Sequence, residues 1–217
     1  MPPLIIKDLH HKKPLSVKEL HEYGIVKEIE SFEIKDVTPD NEIIRFTLLA
    51  SETEGTISAE LIDELGNIVD VIGNVDFKFI RETEGVLKGG VQIASAYFHP
   101  DYQGQGLGTQ AYEILAKNYL LVSDTVQTHD GAAFWKYKIS VHGHLEVQII
   151  KTDSNQTDFI VLDEEDKPIV YTCDRADLEP MIWGLSSPNE CKHTDIQASE
   201  YLTNENVVLI AIYNKST

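Results

Sequence analysis

The chain has 217 residues, 42% of them hydrophobic and 8% aromatic, which is enough apolar material to bury an ordinary core. Its 18 Lys and Arg residues stand against 36 Asp and Glu residues, and the formal net charge of −18 disfavours nucleic acid and anionic lipid as partners. The same charge favours cationic partners such as polyamines, aminoglycosides or lysine-rich proteins, and it also serves solubility.

Cysteine usage and the N-terminus predict where the protein resides. Cys173 and Cys191 are far apart and outside any C-x-x-C pattern, so neither a disulfide framework nor a zinc site is expected. No segment approaches the roughly 18 apolar residues of a membrane helix. The apolar residues 1–6 are followed by charges and lack the form of a signal peptide. We therefore predict a cytoplasmic protein without membrane contact.

The first half of the chain predicts strands. Residues 1–40 form an N-terminal helix and strand segment, in which Ser16 and Glu19 have the spacing of a capping box and Gly24 can close the helix. Runs rich in β-branched and aromatic residues then predict a meander. Its strands are residues 43–50, 56–62, 68–72, 75–80 and 91–98.

A glycine-rich turn follows the last of these strands and precedes an amphipathic helix. Gly104, Gly106 and Gly108 fall within five residues, and Leu107, Ala111, Ile114 and Leu115 mark one helical face. The glycines therefore sit at a helix N-terminus, where unpaired N–H groups and the helix dipole favour an anion. Glycine also lets phosphate oxygens approach the backbone. A pyrophosphate suits this turn, although a tight turn without a ligand has the same pattern.

The residues Gln103-x-x-Gly106-x-Gly108 resemble the acetyl-CoA loop of the GNAT superfamily of N-acetyltransferases, which reads Gln or Arg, two residues, Gly, one residue, then Gly or Ala. This resemblance implies that the loop amides hold the CoA pyrophosphate and that the preceding strand end bonds the pantetheine arm. The implied cofactor-binding residues are Phe98, His99, Gln103, Gly104, Gln105, Gly106, Leu107, Gly108, Thr109, Asp130 and Trp135.

A second segment adds to the resemblance. Residues 120–128 are predicted as a strand that splays from the strand before the loop, with a helix to follow in which Asp130 is a plausible N-cap. In the family this helix carries a Tyr that protonates the leaving thiolate. Trp135 stands in its place, and an indole N–H is not a useful acid. Trp135 either covers the pantetheine or packs in the core, and Tyr137 lies about 200° around the helix.

The chemistry implied by the resemblance is direct transfer from acetyl-CoA to an amine. A strand-end N–H near Phe98 would polarise the acetyl carbonyl, and the amine would lose a proton to a side chain or water. The candidate catalytic residues are Tyr97, Asp124, His129 and Tyr137, with Ser95 as a further candidate base. No metal site is predicted, because His142 and His144 lack further ligands that the sequence can locate.

Strands are also predicted after residue 138, at 145–150, 158–162, 168–171 and 206–213, with a turn-rich span between 172 and 202. The acidic residues 163–166 predict a solvated hairpin tip, with a cation site as the alternative. Residues 151–217 form a β-rich extension on a core of residues 41–150. In its general appearance this extension resembles acetyltransferase-like proteins of bacteriophages.

Together these features predict an α+β fold, with a GNAT-like twisted mixed sheet flanked by helices and a β-rich C-terminal extension. The predicted function is N-acetyltransfer from acetyl-CoA to a cationic amine or a lysine-bearing protein, and a homodimer is compatible with it. The family's two helices between its first strands are not apparent, which leaves the acceptor site undefined. Two alternatives stay open: a binding protein that has lost transfer chemistry and acts on a basic partner, and a structural component with an empty cleft.

Overall fold

The computed structural model describes residues 14, 16–18, 27–35, 42–81, 84–124, 126–127, 129–153, 155, 157–183, 202–203 and 206–214. Cys191 and most of the helix predicted to begin at Ser16 lie outside these residues. The strands are β1 (Lys27–Ile34), β2 (Ile43–Ala50), β3 (Glu54–Ile62), β4 (Ile68–Phe79), β5 (Gly90–Phe98), β6 (Leu120–Val122), β7 (Val126–Gln127), β8 (Leu145–Thr152), β9 (Asp158–Ile160), β10 (Leu202–Thr203) and β11 (Val207–Tyr213).

Helical segments are few and mostly short. The longest described helix, Leu107–Asn118, has 12 residues. The others are a 3-10 turn at Pro100–Tyr102, a helix at His129–Phe134 that continues as a π turn over Trp135–Ile139, a 3-10 turn at Ala176–Leu178 and a helix at Glu179–Trp183. None of the described helices is long and apolar enough to cross a membrane.

The predicted fold class, a GNAT-like sheet flanked by helices, is wrong. Strands hold 45% of the described residues and helices 23%, and the main sheet has nine strands in the order β1-β2-β3-β4-β5-β6-β11-β8-β9. Among the described residues, β1 to β5 follow one another without an intervening helix. The β5–β6 pair is parallel, whereas the pairs β1–β2, β2–β3, β3–β4, β6–β11, β11–β8 and β8–β9 are antiparallel.

The individual strands are closer to the expectation. The strand predicted over residues 43–50 is confirmed as β2, whereas the strands predicted at 68–72 and 75–80 form the single strand β4. A register shift against β3 beside Gly73 makes Ile72 an extra residue in the middle of β4. The span 172–202, predicted as turns, contains the Glu179–Trp183 helix.

Three hairpins are closed by the same five-residue turn, which begins with Asp63, Asp153 or Asp163. In each turn the Asp carboxylate accepts two backbone N–H groups, at 2.8–3.0 Å, from the residues two and four positions later. A side chain that satisfies turn amides in this way favours Asp for a local reason. The acidic tip at 163–166 is therefore a hairpin turn, and the described residues contain no cluster of metal ligands.

The chain divides into two compact units, Met1–Phe79 with Ile93–Ile114 and Ile80–Gln92 with Leu115–Thr217. The first unit holds β1 to β4, the second half of β5, the glycine-rich turn and the start of the Leu107–Asn118 helix. The second unit holds the first half of β5 and the elements from β6 onward. We call them unit 1 and unit 2.

Side chains alternate along the strands of unit 1, and in the middle of the sheet one face is apolar and the other is mainly polar. Phe46, Ala59 and Gly73 are partners across β2, β3 and β4 on the apolar face. A Cβ at Gly73 would lie 2.4 Å from the Phe98 ring, so β5 packs here only against a glycine. One residue along, Ser31, Thr47, Ser58 and Asn74 form a row across four strands on the polar face.

In unit 2, Ser123 joins β6 to β11. Its Oγ accepts the N–H of Leu209 at 2.8 Å, and its own N–H donates to the Leu209 carbonyl at 2.8 Å. The Gln92 side chain donates to the Ser123 carbonyl at 3.2 Å. Ser123 thus replaces a missing ladder bond where β6 ends. Packed beside it is an apolar cluster that comprises Leu87, Val122, Ile150, Val208 and Ile210.

A buried ion pair joins the π turn of unit 2 to the Glu179–Trp183 helix. The Lys136 ammonium donates to the Glu179 carboxylate, and the two residues are 4% and 1% exposed. Burial disfavours the charge of Lys136, but its interactions with Glu179 and Tyr137 together outweigh that effect and raise the pKa of Lys136. Because both charges are removed from water, the stability of each one in the interior depends on the presence of the other.

This dependence predicts the effect of removing one partner. Glu179→Gln leaves the Lys136 ammonium buried without a counter-charge and should lower the free energy of unfolding by about 3 to 5 kcal/mol. The double variant Lys136→Met with Glu179→Leu removes both charges and should lie closer to wild type than either single variant. Urea unfolding followed by circular dichroism measures all three. A Glu179→Gln cost below about 1 kcal/mol would contradict the role of the pair.

Candidate functional site

The glycine-rich turn follows directly from the end of β5. The His99 N–H donates to the Ile72 carbonyl of β4 at 2.7 Å, and the Pro100–Tyr102 turn then redirects the chain. Gly104 and Gly106 have φ angles of 78° and 82°. A Cβ at either position would have no atom within 4 Å. The glycines are therefore required by the left-handed backbone and not by lack of space.

The backbone N–H groups of this turn are available to a ligand. The Gln110 N–H donates to the Gly106 carbonyl at 3.1 Å, so residues 107–109 precede the first intrahelical bond. Within the described part of the chain, the N–H groups of Gly104 and Gly106 also form no hydrogen bond. The first turn of the Leu107–Asn118 helix carries no acidic side chain. Free amides at the positive end of a helix dipole form an anion site.

Two glutamine side chains stabilise the turn through hydrogen bonds to backbone carbonyls. The Gln103 side-chain amide donates to the Phe98 carbonyl at 2.9 Å, and the Gln105 amide donates to the Asp101 carbonyl at 3.0 Å. Both donors are therefore engaged with the protein, and the Gln105 Oε1 atom is buried without a partner. We infer that these two side chains hold the loop in place, and that the backbone amides of the loop are the groups that can bind an anion.

Acidic groups lie near the residues that immediately precede the turn. The Tyr102 hydroxyl donates to Glu42 at 3.0 Å, and Asp70 and Asp101 also act electrostatically on Tyr102. The exposed His99 imidazole lies 3.5 Å from the Asp101 carboxylate. These carboxylates weaken the local attraction for an anion, so the amides and the helix dipole must supply it.

The end of β5 also carries a free strand edge. Because His99 donates to β4, alternation directs the N–H groups of Tyr97 and Ser95 to β4 and those of Phe98 and Ala96 to the opposite edge. The β5–β6 ladder covers only Gly90–Gln92 with Leu120–Val122. From residue 93 to 98 this edge forms no ladder among the described residues. An extended ligand with amide groups can pair with it as a further strand does.

A polar cluster lies beside this strand on the polar face of unit 1. Asp76 accepts two hydrogen bonds at one carboxylate oxygen, from Ser95 Oγ at 2.7 Å and from Asn74 Nδ2 at 2.9 Å. Ser95 and Tyr97 share a face of β5 by alternation. The sequence analysis missed Asp76 and Asn74, although polar residues at alternate positions of a strand are a signal for such a pair.

The remaining predicted site residues lie in unit 2. Asp124 is half-buried just after β6, and His129 is the first residue of a helix. Asp130 is exposed in the first turn of that helix, so it is not the N-cap that the sequence suggested. Trp135 is 5% exposed and therefore buried. The half-buried Tyr137 ring lies 5.1 Å from the Lys136 ammonium.

Of the predicted site residues, the structure thus brings Tyr97, Phe98, His99 and residues 103–109 together in unit 1. Comparison of the chain with family models, curated proteins and solved structures returns no match. The resemblance to the GNAT loop therefore depends on the strand, the glycine-rich turn and the helix that follows it.

The Tyr102 hydrogen bond predicts a pH dependence of stability. The pKa of Tyr102 is raised to about 12, mainly by burial and secondly by the hydrogen bond to Glu42. A raised pKa means that the stabilisation is complete below about pH 10, the ordinary Tyr value, and is lost as the pH rises towards 12. The extra stability of wild type over Tyr102→Phe should therefore persist at pH 8 and shrink between pH 10 and 12.

Chemical unfolding of both proteins across this range measures the difference, and absorbance at the phenolate band reports the ionisation itself. Other tyrosines with raised pKa values, such as Tyr112, ionise in both proteins and cancel. A stability difference that stays constant from pH 8 to 12 would show that Tyr102 is not held by Glu42.

Proposed function

We propose that this chain binds acetyl-CoA at the turn 103–108 and transfers the acetyl group to a cationic amine. The observation that carries the proposal is the pair Gly104 and Gly106, whose left-handed backbone leaves amides free at the start of a 12-residue helix. The resemblance of Gln103, Gly106 and Gly108 to the GNAT loop supports acetyl-CoA over another phosphorylated ligand.

In this proposal the pyrophosphate of CoA accepts hydrogen bonds from the amides of the turn. The pantetheine arm carries two amide groups, and it lies along the free edge of β5, where the N–H groups of Phe98 and Ala96 point outward. Strand residues are spaced by about 3.3 Å. The acetyl end therefore lies about 10 Å back from Phe98, beside Ser95.

Transfer then proceeds by direct attack. The amine nitrogen forms a bond to the acetyl carbon, the carbon–sulfur bond breaks, and the electron pair leaves on the CoA sulfur. The proton lost by the amine passes to solvent or to a nearby base, and the thiolate takes a proton in turn. An outward N–H of β5 stabilises the charge that develops on the carbonyl oxygen. Alignment of the two substrates supplies much of the acceleration in such a reaction.

A second candidate is an acetyl-CoA-binding protein without transferase activity, which acts on a basic partner through its acidic surface. The observation in its favour is Trp135, which is buried where the resemblance places the family's Tyr acid. Binding of acetyl-CoA is common to both candidates, so amine acetylation distinguishes them.

Substitution of Gly106 tests the loop. Gly106→Asn and Gly106→Asp introduce side chains of similar size, and both residue types tolerate a left-handed backbone. Because only Asp adds a negative charge where a phosphate would bind, it should weaken acetyl-CoA binding at least about tenfold more than Asn does. Calorimetric titration gives both affinities, and circular dichroism checks the fold.

Gly89→Asp is the matched control, because Gly89 also has a positive φ, of 73°, and open space around its Cβ position. It lies in unit 2, outside the turn, and acetyl-CoA affinity should stay at the wild-type value. Equal affinities of wild type and Gly106→Asp would place the ligand elsewhere, and no binding to wild type would reject the proposal.

The acidic surface predicts the acceptor. Attraction of a cationic amine weakens as salt shortens the Debye length from about 30 Å at 0.01 M to about 10 Å at 0.1 M. With labelled acetyl-CoA, kcat/KM for cationic amines should fall over this range, whereas a neutral amine should show little change. Faster transfer to neutral or acidic acceptors would refute a cationic substrate, and no transfer to any amine would favour the binding protein.

A further inference from the structure

A half-buried carboxylate on the polar face of unit 1 has one oxygen without a protein partner. The Oδ2 atom of Asp76 accepts hydrogen bonds from Ser95 and Asn74, whereas its Oδ1 atom forms no hydrogen bond with the described residues. Two donors from neighbouring positions hold the carboxylate in one orientation. A fixed, half-buried carboxylate with a free oxygen favours a cation that brings its own hydrogen-bond donors.

We propose that Asp76 binds the non-reacting ammonium group of a diamine or polyamine acceptor. This inference rests on the proposed function, since it requires the other amine of the acceptor to react with acetyl-CoA bound at the free edge of β5. It narrows the acceptor from any cationic amine to an aliphatic amine with a second positive charge. Asp76 is thereby a specificity residue, and the bond-making step described above is unchanged.

The strand spacing sets the length of this acceptor. Asp76 lies on β4, and an acyl chain paired with the free edge of β5 lies about two strand spacings away, or roughly 9 to 10 Å. An ammonium–carboxylate hydrogen bond occupies about 2.8 Å of that distance. The remaining 6 to 7 Å, by the same estimate, matches the separation of the amines in a four- or five-carbon diamine.

The charges on this face support a cation over a neutral ligand. Glu60 lies on the same face of β3 and is 1% exposed, and its carboxylate accepts the Val17 N–H at 2.9 Å. The Arg45 guanidinium, which stands opposite Glu60 across β2 and β3, is engaged with Glu33 at 2.9 Å. Lys78, two residues after Asp76 on β4, is exposed. The charged side chain that is buried on this face is therefore acidic, and it lies among the neutral residues Thr47, Leu49, Thr56 and Ser58.

A chain-length series in the wild-type protein tests the inference without any substitution. Acetyl transfer is measured with 1,3-diaminopropane, putrescine, cadaverine and 1,6-diaminohexane, each against n-butylamine. We expect kcat/KM for putrescine or cadaverine to exceed that for n-butylamine by about tenfold or more, because an ion pair in a half-buried site is lost with the monoamine. A flat profile, with n-butylamine as good as the diamines, would overturn the proposal.

Asp76→Asn tests the residue itself. This variant should lower kcat/KM for cadaverine about tenfold or more, leave kcat/KM for n-butylamine within about twofold and keep the wild-type affinity for acetyl-CoA. Glu54→Gln is the matched control, because it removes the same charge from an exposed side chain on β3 and should leave the preference for diamines intact. A diamine preference that survives in a folded Asp76→Asn protein would reject Asp76.

The two proposals fail in different ways. If wild type does not bind acetyl-CoA in calorimetry, the proposed function fails. If acetyl-CoA binds but no amine is acetylated, cadaverine is titrated into the acetyl-CoA complex, and the absence of heat would overturn the diamine site. Binding of cadaverine that Asp76→Asn abolishes would support the site even in a protein without transfer activity.

Discussion

The candidate site depends on the way β5 ends. The hydrogen bond from the His99 N–H to the Ile72 carbonyl fixes the last residue of the strand against β4, and the left-handed residues Gly104 and Gly106 then turn the chain into a helix. The same geometry leaves amides of the turn, and those of one strand edge, without protein acceptors. A single junction thus provides both an anion site and an edge for an extended chain, within a site whose neighbouring side chains are acidic.

The two faces of the sheet in unit 1 carry different parts of the candidate site. On the apolar face, Phe98 packs over Gly73, which keeps β4 and β5 close where the turn begins. On the polar face, Asp76, Asn74 and Ser95 form a hydrogen-bonded group one strand from the free edge. Alternation along β5 places these two environments on adjacent residues. The cofactor and acceptor roles proposed for them therefore depend on one register between β4 and β5.

Local features were predictable from the sequence, and the architecture was not. Glycine spacing between a strand pattern and a helical pattern identified the turn, because each signal is local. The fold class was wrong because it was taken from the resemblance, and a loop motif of six residues carries no information about helices elsewhere. Asp76 was missed because its partner Ser95 lies 19 residues away and meets it only through strand pairing. The Lys136–Glu179 pair is equally non-local.

Selective ¹⁵N labelling of glycine tests the central claim most directly, because the chain has 13 glycines and three of them lie in the turn. On titration with acetyl-CoA, the amide signals of Gly104, Gly106 and Gly108 should shift together as they begin to donate to phosphate oxygens, while those of Gly55 and Gly66 stay in place. Shifts confined to glycines outside the turn, or no shift at saturating acetyl-CoA, would contradict the account.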